Sequence, residues 1–143
     1  MRNRITILAL ALAALVTAAT AAAEQTVVIV NPSNSTETMR KAEVSRLFLK
    51  QTGTWADGKK VVPVDLASNS STRADFTRAV HGRSVEAILA YWNQKMFSGA
   101  EVPPDQKGSD REVIEFVRTN PGAVGYVSSS AVVKQVKVLR VVD

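Results

Sequence analysis

Residues 25–30 (QTVVIV) form an unbroken apolar, β-branched run, the mark of a strand covered on both faces. Asn31-Pro32-Ser33-Asn34-Ser35 breaks the run, and Val44, Leu47 and Phe48 then lie on one face of a helix. Gly53 and the turn Trp55-Ala56-Asp57-Gly58 separate that helix from a second strand at residues 61–65 (VVPVD), where Pro63 argues for an edge position or a strand end. Ser68-Asn69-Ser70-Ser71 leads into a helix with Phe76, Ala79 and Val80 inward, closed by His81-Gly82. Ser84 caps a longer helix whose apolar face is Val85, Ile88, Leu89, Trp92 and Met96. Residues 98–108, with Gly99, Pro103 and Pro104, read as a loop. Ser109-Asp110-Arg111-Glu112 has capping-box spacing ahead of Val113, Ile114 and Val117, and Asn120-Pro121-Gly122 stops the helix that begins there. Residues 123–127 (AVGYV) and 136–142 (VKVLRVV) are the last strands, with a short helical turn expected at residues 128–133. Apolar strands alternating with amphipathic helices predict an α/β sandwich on a mixed, mostly parallel sheet of about four strands.

The first residues stand outside this pattern. Arg2 and Arg4 precede an apolar stretch at residues 5–19, and Ala21-Ala22-Ala23 supplies small residues for cleavage. The stretch is about 15 residues, short of the roughly 20 that span a bilayer. Residues 1–23 therefore read as a cleaved export signal, and residues 24–143 as one domain of a soluble periplasmic protein. Loss of Arg2 and Arg4 lowers the formal net charge from +5 to +3. That mild excess steers anions without indicating nucleic acid, because the basic runs are only pairs, Arg40-Lys41 and Lys59-Lys60. The chain has no cysteine, so no disulfide, thiolate nucleophile, cysteine metal ligand or lipidated cysteine is expected.

Catalytic patterns are missing too. His81 is the one histidine and lies at a helix end, and the chain has no G-x-S-x-G elbow, phosphate-binding glycine loop or metal-ligand spacing. The expectation is a non-enzyme without cofactor or metal. One segment does have a mechanism. Ser70, Ser71 and Thr72 lie between the end of the second strand and the next helix, where free backbone N–H groups and short hydroxyls can hold a tetrahedral oxyanion, with Arg73 adding positive charge. Serine and threonine at such positions are also ordinary helix caps, and Thr72-x-x-Asp75 fits that pattern. Asp75 in the first turn would repel an anion unless it faces away.

Leu47-Phe48-Leu49, Trp55-Ala56-Asp57-Gly58, residues 61–65, Ser70-Ser71-Thr72 and Asn120-Pro121-Gly122-Ala123-Val124-Gly125-Tyr126-Val127 follow one another in an order that resembles the periplasmic phosphate-binding proteins of ABC transporters. The last segment is similar to that family's N-x-G-A-I-G-Y. Residues 48–55 resemble its F-L-G-K-x-x-x-W, with Lys50 in place of glycine, and the serine-rich segment resembles its S-G-T, with Ser71 in place of glycine. The resemblance implies a single periplasmic-binding-protein-like lobe in which Ser70 and Thr72 hold phosphate. The family's second lobe has no counterpart, and Asp65-Leu66 stands where the family has an arginine. It implies weak binding of phosphate or a related oxyanion for ABC transport or sensing, with a membrane permease or sensor as partner. The other reading is a ligand-free module that docks on such a membrane protein; neither involves membrane insertion after cleavage.

Overall fold

The run at residues 25–30 becomes β1 (Thr26–Val30), an inner strand whose last three residues are buried, in a computed structural model that describes residues 25–143. The leader expected at residues 1–23 lies outside the described residues. Next come β2 (Thr38–Arg40), α1 (Lys41–Phe48), β3 (Val62–Leu66) and α2 (Ser71–Phe76), which runs on into a π-helical turn, Thr77–His81. The chain continues through α3 (Val85–Phe97), β4 (Asp105–Lys107), α4 (Asp110–Thr119), β5 (Ala123–Ser128) and β6 (Lys137–Val142). The six strands lie in the order β2-β6-β1-β5-β3-β4. β1 is antiparallel to both of its neighbours, and the other three pairings are parallel.

The class is the expected one, but the sheet has six strands rather than about four. β4 consists of Asp-Gln-Lys and β2 of Thr-Met-Arg, and neither carries an apolar alternation. Both are short sheet edges; β4 is held by main-chain pairing rather than by buried side chains, and β2 adds only the half-buried Met39, which packs on the core. β4 also moves β3 off the edge that Pro63 suggested. It covers only Val64–Leu66, so Pro63 has a partner on the β5 side alone, Val124. The helical turn expected at residues 128–133 is a non-helical turn closed by Ala131 N–H donating to Ser128 O.

One face of the sheet carries α4, and the other carries α1 and α2. Gly125 lets α4 come close: a Cβ there would lie 2.7 Å from Val113 and 2.9 Å from Val64. Gly122 is tighter still, with a Cβ position 1.9 Å from the Lys60 carbonyl oxygen, and its own carbonyl accepts both the Val62 N–H and the Trp55 indole N–H at 2.9 Å. α1 ends in a Schellman motif, in which Gln51 N–H donates to Arg46 O and Lys50 N–H to Leu47 O. Lys50 therefore sits at φ 55°, a left-handed position that glycine occupies at lower cost.

α3 stands apart from the main core. Ile88 and Trp92 form a satellite cluster with Leu49 and Tyr91, whose hydroxyl donates to the Leu49 carbonyl. Trp92 is 2% exposed, as the stripe predicts, whereas Met96 at the end of that stripe is 44% exposed, one turn beyond the cluster with Leu49. No described helix is long and apolar enough to cross a membrane.

Candidate functional site

β3 delivers Val64, Asp65 and Leu66 into the interior and ends beside the start of α2. Ala67 donates its N–H to Lys107 O, and a turn closed by Ser70 N–H to Ala67 O at 2.9 Å swings the chain into the helix. Ser70 is the N-cap: its backbone is extended and its Oγ accepts the Arg73 N–H at 3.2 Å. The cap is thus Ser70 rather than the Thr72 of the sequence pattern. Ser71 is exposed and Thr72 half-buried. The first turn of α2 holds no acid, and Asp75 instead faces Arg78 at 3.7 Å, so it adds no carboxylate at the helix start.

Arg73 does not join the hydroxyls at the surface. Its side chain is 2% exposed and turns back under the helix start, where Nη1 donates to Leu66 O at 2.8 Å and Nη2 lies 3.4 Å from Asp65 Oδ2. Asp65 also accepts from the Tyr126 hydroxyl and, at 3.1 Å, from the Leu66 N–H. Burial raises the Asp65 pKa, and Arg73, then Tyr126 and the Leu66 N–H, oppose that rise. The same burial, reinforced by Asp65, raises the Tyr126 pKa, so the phenol stays protonated and donates.

Aromatic rings wall this network. Phe76 stacks on Tyr126 with centroids 3.8 Å apart and planes 4° from parallel, and Phe48 meets both rings edge-on. His81, at the end of the π-helical turn, packs its edge against Phe76 and hydrogen-bonds through Nδ1 to the Ser45 hydroxyl at 2.7 Å. Burial, then Arg83 and Arg73, pushes its pKa down to about 4, so the ring is neutral at pH 7. It joins the end of the π-helical turn to α1, and among the described residues no carboxylate contributes to its shift. Among the described residues no group of acids and histidine is placed to hold a metal ion.

Of the four residues picked from the sequence, the fold groups Ser70, Ser71 and Thr72 at one helix start and places Arg73 behind them. The residue that the sequence reading missed as a partner is Tyr126, whose signal was a tyrosine inside an otherwise apolar strand. The arrangement can offer backbone N–H groups and the Ser71 and Thr72 hydroxyls to an anion. It cannot offer the Arg73 guanidinium directly.

No family model matches this sequence, and no curated protein matches it. Solved structures do share its fold. An ABC-type phosphate transport receptor from Vibrio cholerae superposes with a TM-score of 0.65 over 82% of this chain at 19% identity. A phosphate ABC transporter substrate-binding protein from Clostridium perfringens, with phosphate bound, gives 0.65 over 82% at 20%, and PstS from Borrelia burgdorferi gives 0.61 over 82% at 16%. The chain spans 46%, 44% and 47% of those proteins, somewhat less than half of each. These are receptors and binding proteins, not enzymes.

Proposed function

We propose that this chain is an exported, periplasmic solute-binding module that holds phosphate or a related oxyanion at the start of α2, for ABC transport or for sensing. The observation that carries the reading is the exposure of Ser71 and half-exposure of Thr72 at a helix start launched from the carboxyl end of β3. That is where α/β sheets place their ligands, and free N–H groups there favour an anion. The shared fold with phosphate receptors supports the same reading. Binding is weak, because Asp65 and the Leu66 carbonyl already engage Arg73. That same engagement favours a second reading, a ligand-free module docking on a membrane permease or sensor.

Calorimetric phosphate titration separates the two. The first reading expects a micromolar-to-millimolar dissociation constant, roughly 4–8 kcal/mol of binding free energy, and a melting temperature that rises with phosphate. Thr72→Val and Ser71→Ala should weaken binding with little loss of stability, since neither is the cap. Ser70→Ala should cost about 1 kcal/mol of stability. No heat and no thermal shift in the parent protein would leave only the docking module.

A further inference from the structure

The end of the sheet opposite the serine-rich helix start carries an unusual surface. Phe97, the last residue of α3, is 97% exposed, and Met96 and Val102 beside it in the chain are 44% and 57% exposed. Gly99, at φ 71°, turns the chain with its N–H donating to Met96 O, and Pro103-Pro104 lead it back toward β4. Three exposed apolar side chains thus fall within one seven-residue stretch, 96–102, at the end of α3 and in the loop that follows it.

Lysines surround that loop. Lys95 lies on the last turn of α3 with its ammonium over the Tyr91 ring, 5.5 Å from the centroid. Lys50 reaches Glu101 at 3.6 Å, and Lys50, Lys60 and Glu101 line one small cleft of about 230 Å³ with Pro104 and Asp105. The Val102 N–H holds the Glu101 carboxyl below its ordinary range, with Lys50 and then Lys60 adding to the effect. Glu101 answers one lysine. Lys60 and Lys95 form no ion pair within 4.0 Å among the described residues, although Lys60 acts on Glu101 at longer range.

We infer that the loop at residues 96–102, with Lys50, Lys60 and Lys95 around it, is a docking surface for the face of an anionic phospholipid bilayer. An exposed phenyl ring and a methionine enter the headgroup boundary while flanking ammonium groups meet the lipid phosphates. One aromatic and the two lysines outside an ion pair, Lys60 and Lys95, give reversible, salt-sensitive attachment rather than insertion. The surface is independent of oxyanion binding: Lys60 precedes the amino end of β3, and the serine-rich turn follows its carboxyl end.

Vesicle co-sedimentation tests this with the chain starting at Glu24 and with the full chain, each compared only with its own variants because residues 5–19 add apolar affinity of their own. Vesicles containing phosphatidylglycerol should retain the protein at low salt, and pure phosphatidylcholine should not. Phe97→Ser should lower partitioning about tenfold. Lys60→Glu with Lys95→Glu should remove the anionic preference. Lys134→Glu should leave it unchanged, because residues 129–136 follow the carboxyl end of β5, which runs parallel to β3, and so lie at the other end of the sheet. Phosphate titration of the Phe97 variant should match the parent, and a melt confirms that each variant is folded. Equal binding to both vesicle types, or partitioning indifferent to Phe97→Ser and to the lysine changes, overturns the inference. A concentration-dependent dimer abolished by Phe97→Ser, with no vesicle binding, overturns it in favour of a second copy of the chain.

Discussion

The Arg73–Asp65 pair is the sharpest test of the network behind the candidate site. Arg73→Met keeps the aliphatic length of the side chain and removes the guanidinium, leaving two orphans. The Asp65 carboxylate loses its counter-ion, and the Leu66 carbonyl loses the 2.8 Å bond from Nη1. Removing one partner of a buried ion pair costs about 3–5 kcal/mol. The lower end applies here because Tyr126 and the Leu66 N–H still serve the carboxylate. Adding Asp65→Asn removes the orphaned charge and keeps an acceptor for both donors, so the double variant should recover about 2 kcal/mol of that loss. The sign with pH follows from the direction of the Asp65 shift. Burial raises its folded pKa, Arg73 is the first group opposing the rise, and without Arg73 the folded pKa climbs further. Folded Asp65 then holds a proton that the unfolded chain has released, so acidification from pH 7 through that pKa shrinks the single variant's deficit. Urea melts of the parent, both single variants and the double variant at pH 7 and pH 5 measure all of this. A deficit under about 1 kcal/mol at pH 7, or a double variant less stable than Arg73→Met alone, would refute the reasoning.

His81 titrates with the opposite consequence. Its folded pKa of about 4 lies below the unfolded value of 6.5, so the unfolded chain takes up the proton first and stability falls as pH drops from about 6.5 to 4. His81→Gln should remove up to about 3 kcal/mol of that acid loss, read as a flatter stability–pH curve; an unchanged curve would mean that the ring is already charged or solvated in the fold. Gly125→Ala should cost about 1–3 kcal/mol, because its methyl group would meet Val113 and Val64. Val113→Ala added to it should cost less than the sum of the single changes, and strict additivity would show that α4 moves away freely. Lys50→Gly should raise stability by up to about 1 kcal/mol by removing a left-handed lysine from the Schellman turn. The exposed pair with Glu101 that it loses is worth little, so a fall in the urea midpoint would place the strain elsewhere.

Most of the sheet and all four main helices were legible, because their apolar residues recur with the periods of buried strands and amphipathic helices. The parts that were not legible share a cause. β4 is Asp-Gln-Lys, and its pairing with β3 rests on main-chain groups that every residue carries. The exposure of Met96 depends on where the tertiary partner of α3, Leu49, lies along the helix, which helical periodicity does not encode. Arg73 illustrates the same limit at the site. An arginine in the first turn of a helix reads as a surface cation, and only the placement of Asp65 at the end of β3 draws it inward.

The segment most like a known family yields to the same argument, and it changes what that likeness means. In residues 120–127, Asn120 donates from its side chain to Phe116 O and accepts the Ala123 N–H at its backbone oxygen. Gly122 lies against the Lys60 backbone, Gly125 admits α4, and the Tyr126 hydroxyl donates to buried Asp65. Each residue that makes the motif distinctive therefore has a duty in holding the sheet and its helices. A chain can keep such a motif because it folds through it, whatever it binds. Arg73 and Ser70 are spent in the same way, one on Asp65 and the other on the helix end. What is left to distinguish an oxyanion receptor from a docking lobe is the pair of hydroxyls, on Ser71 and Thr72, to which the fold assigns no other partner among the described residues.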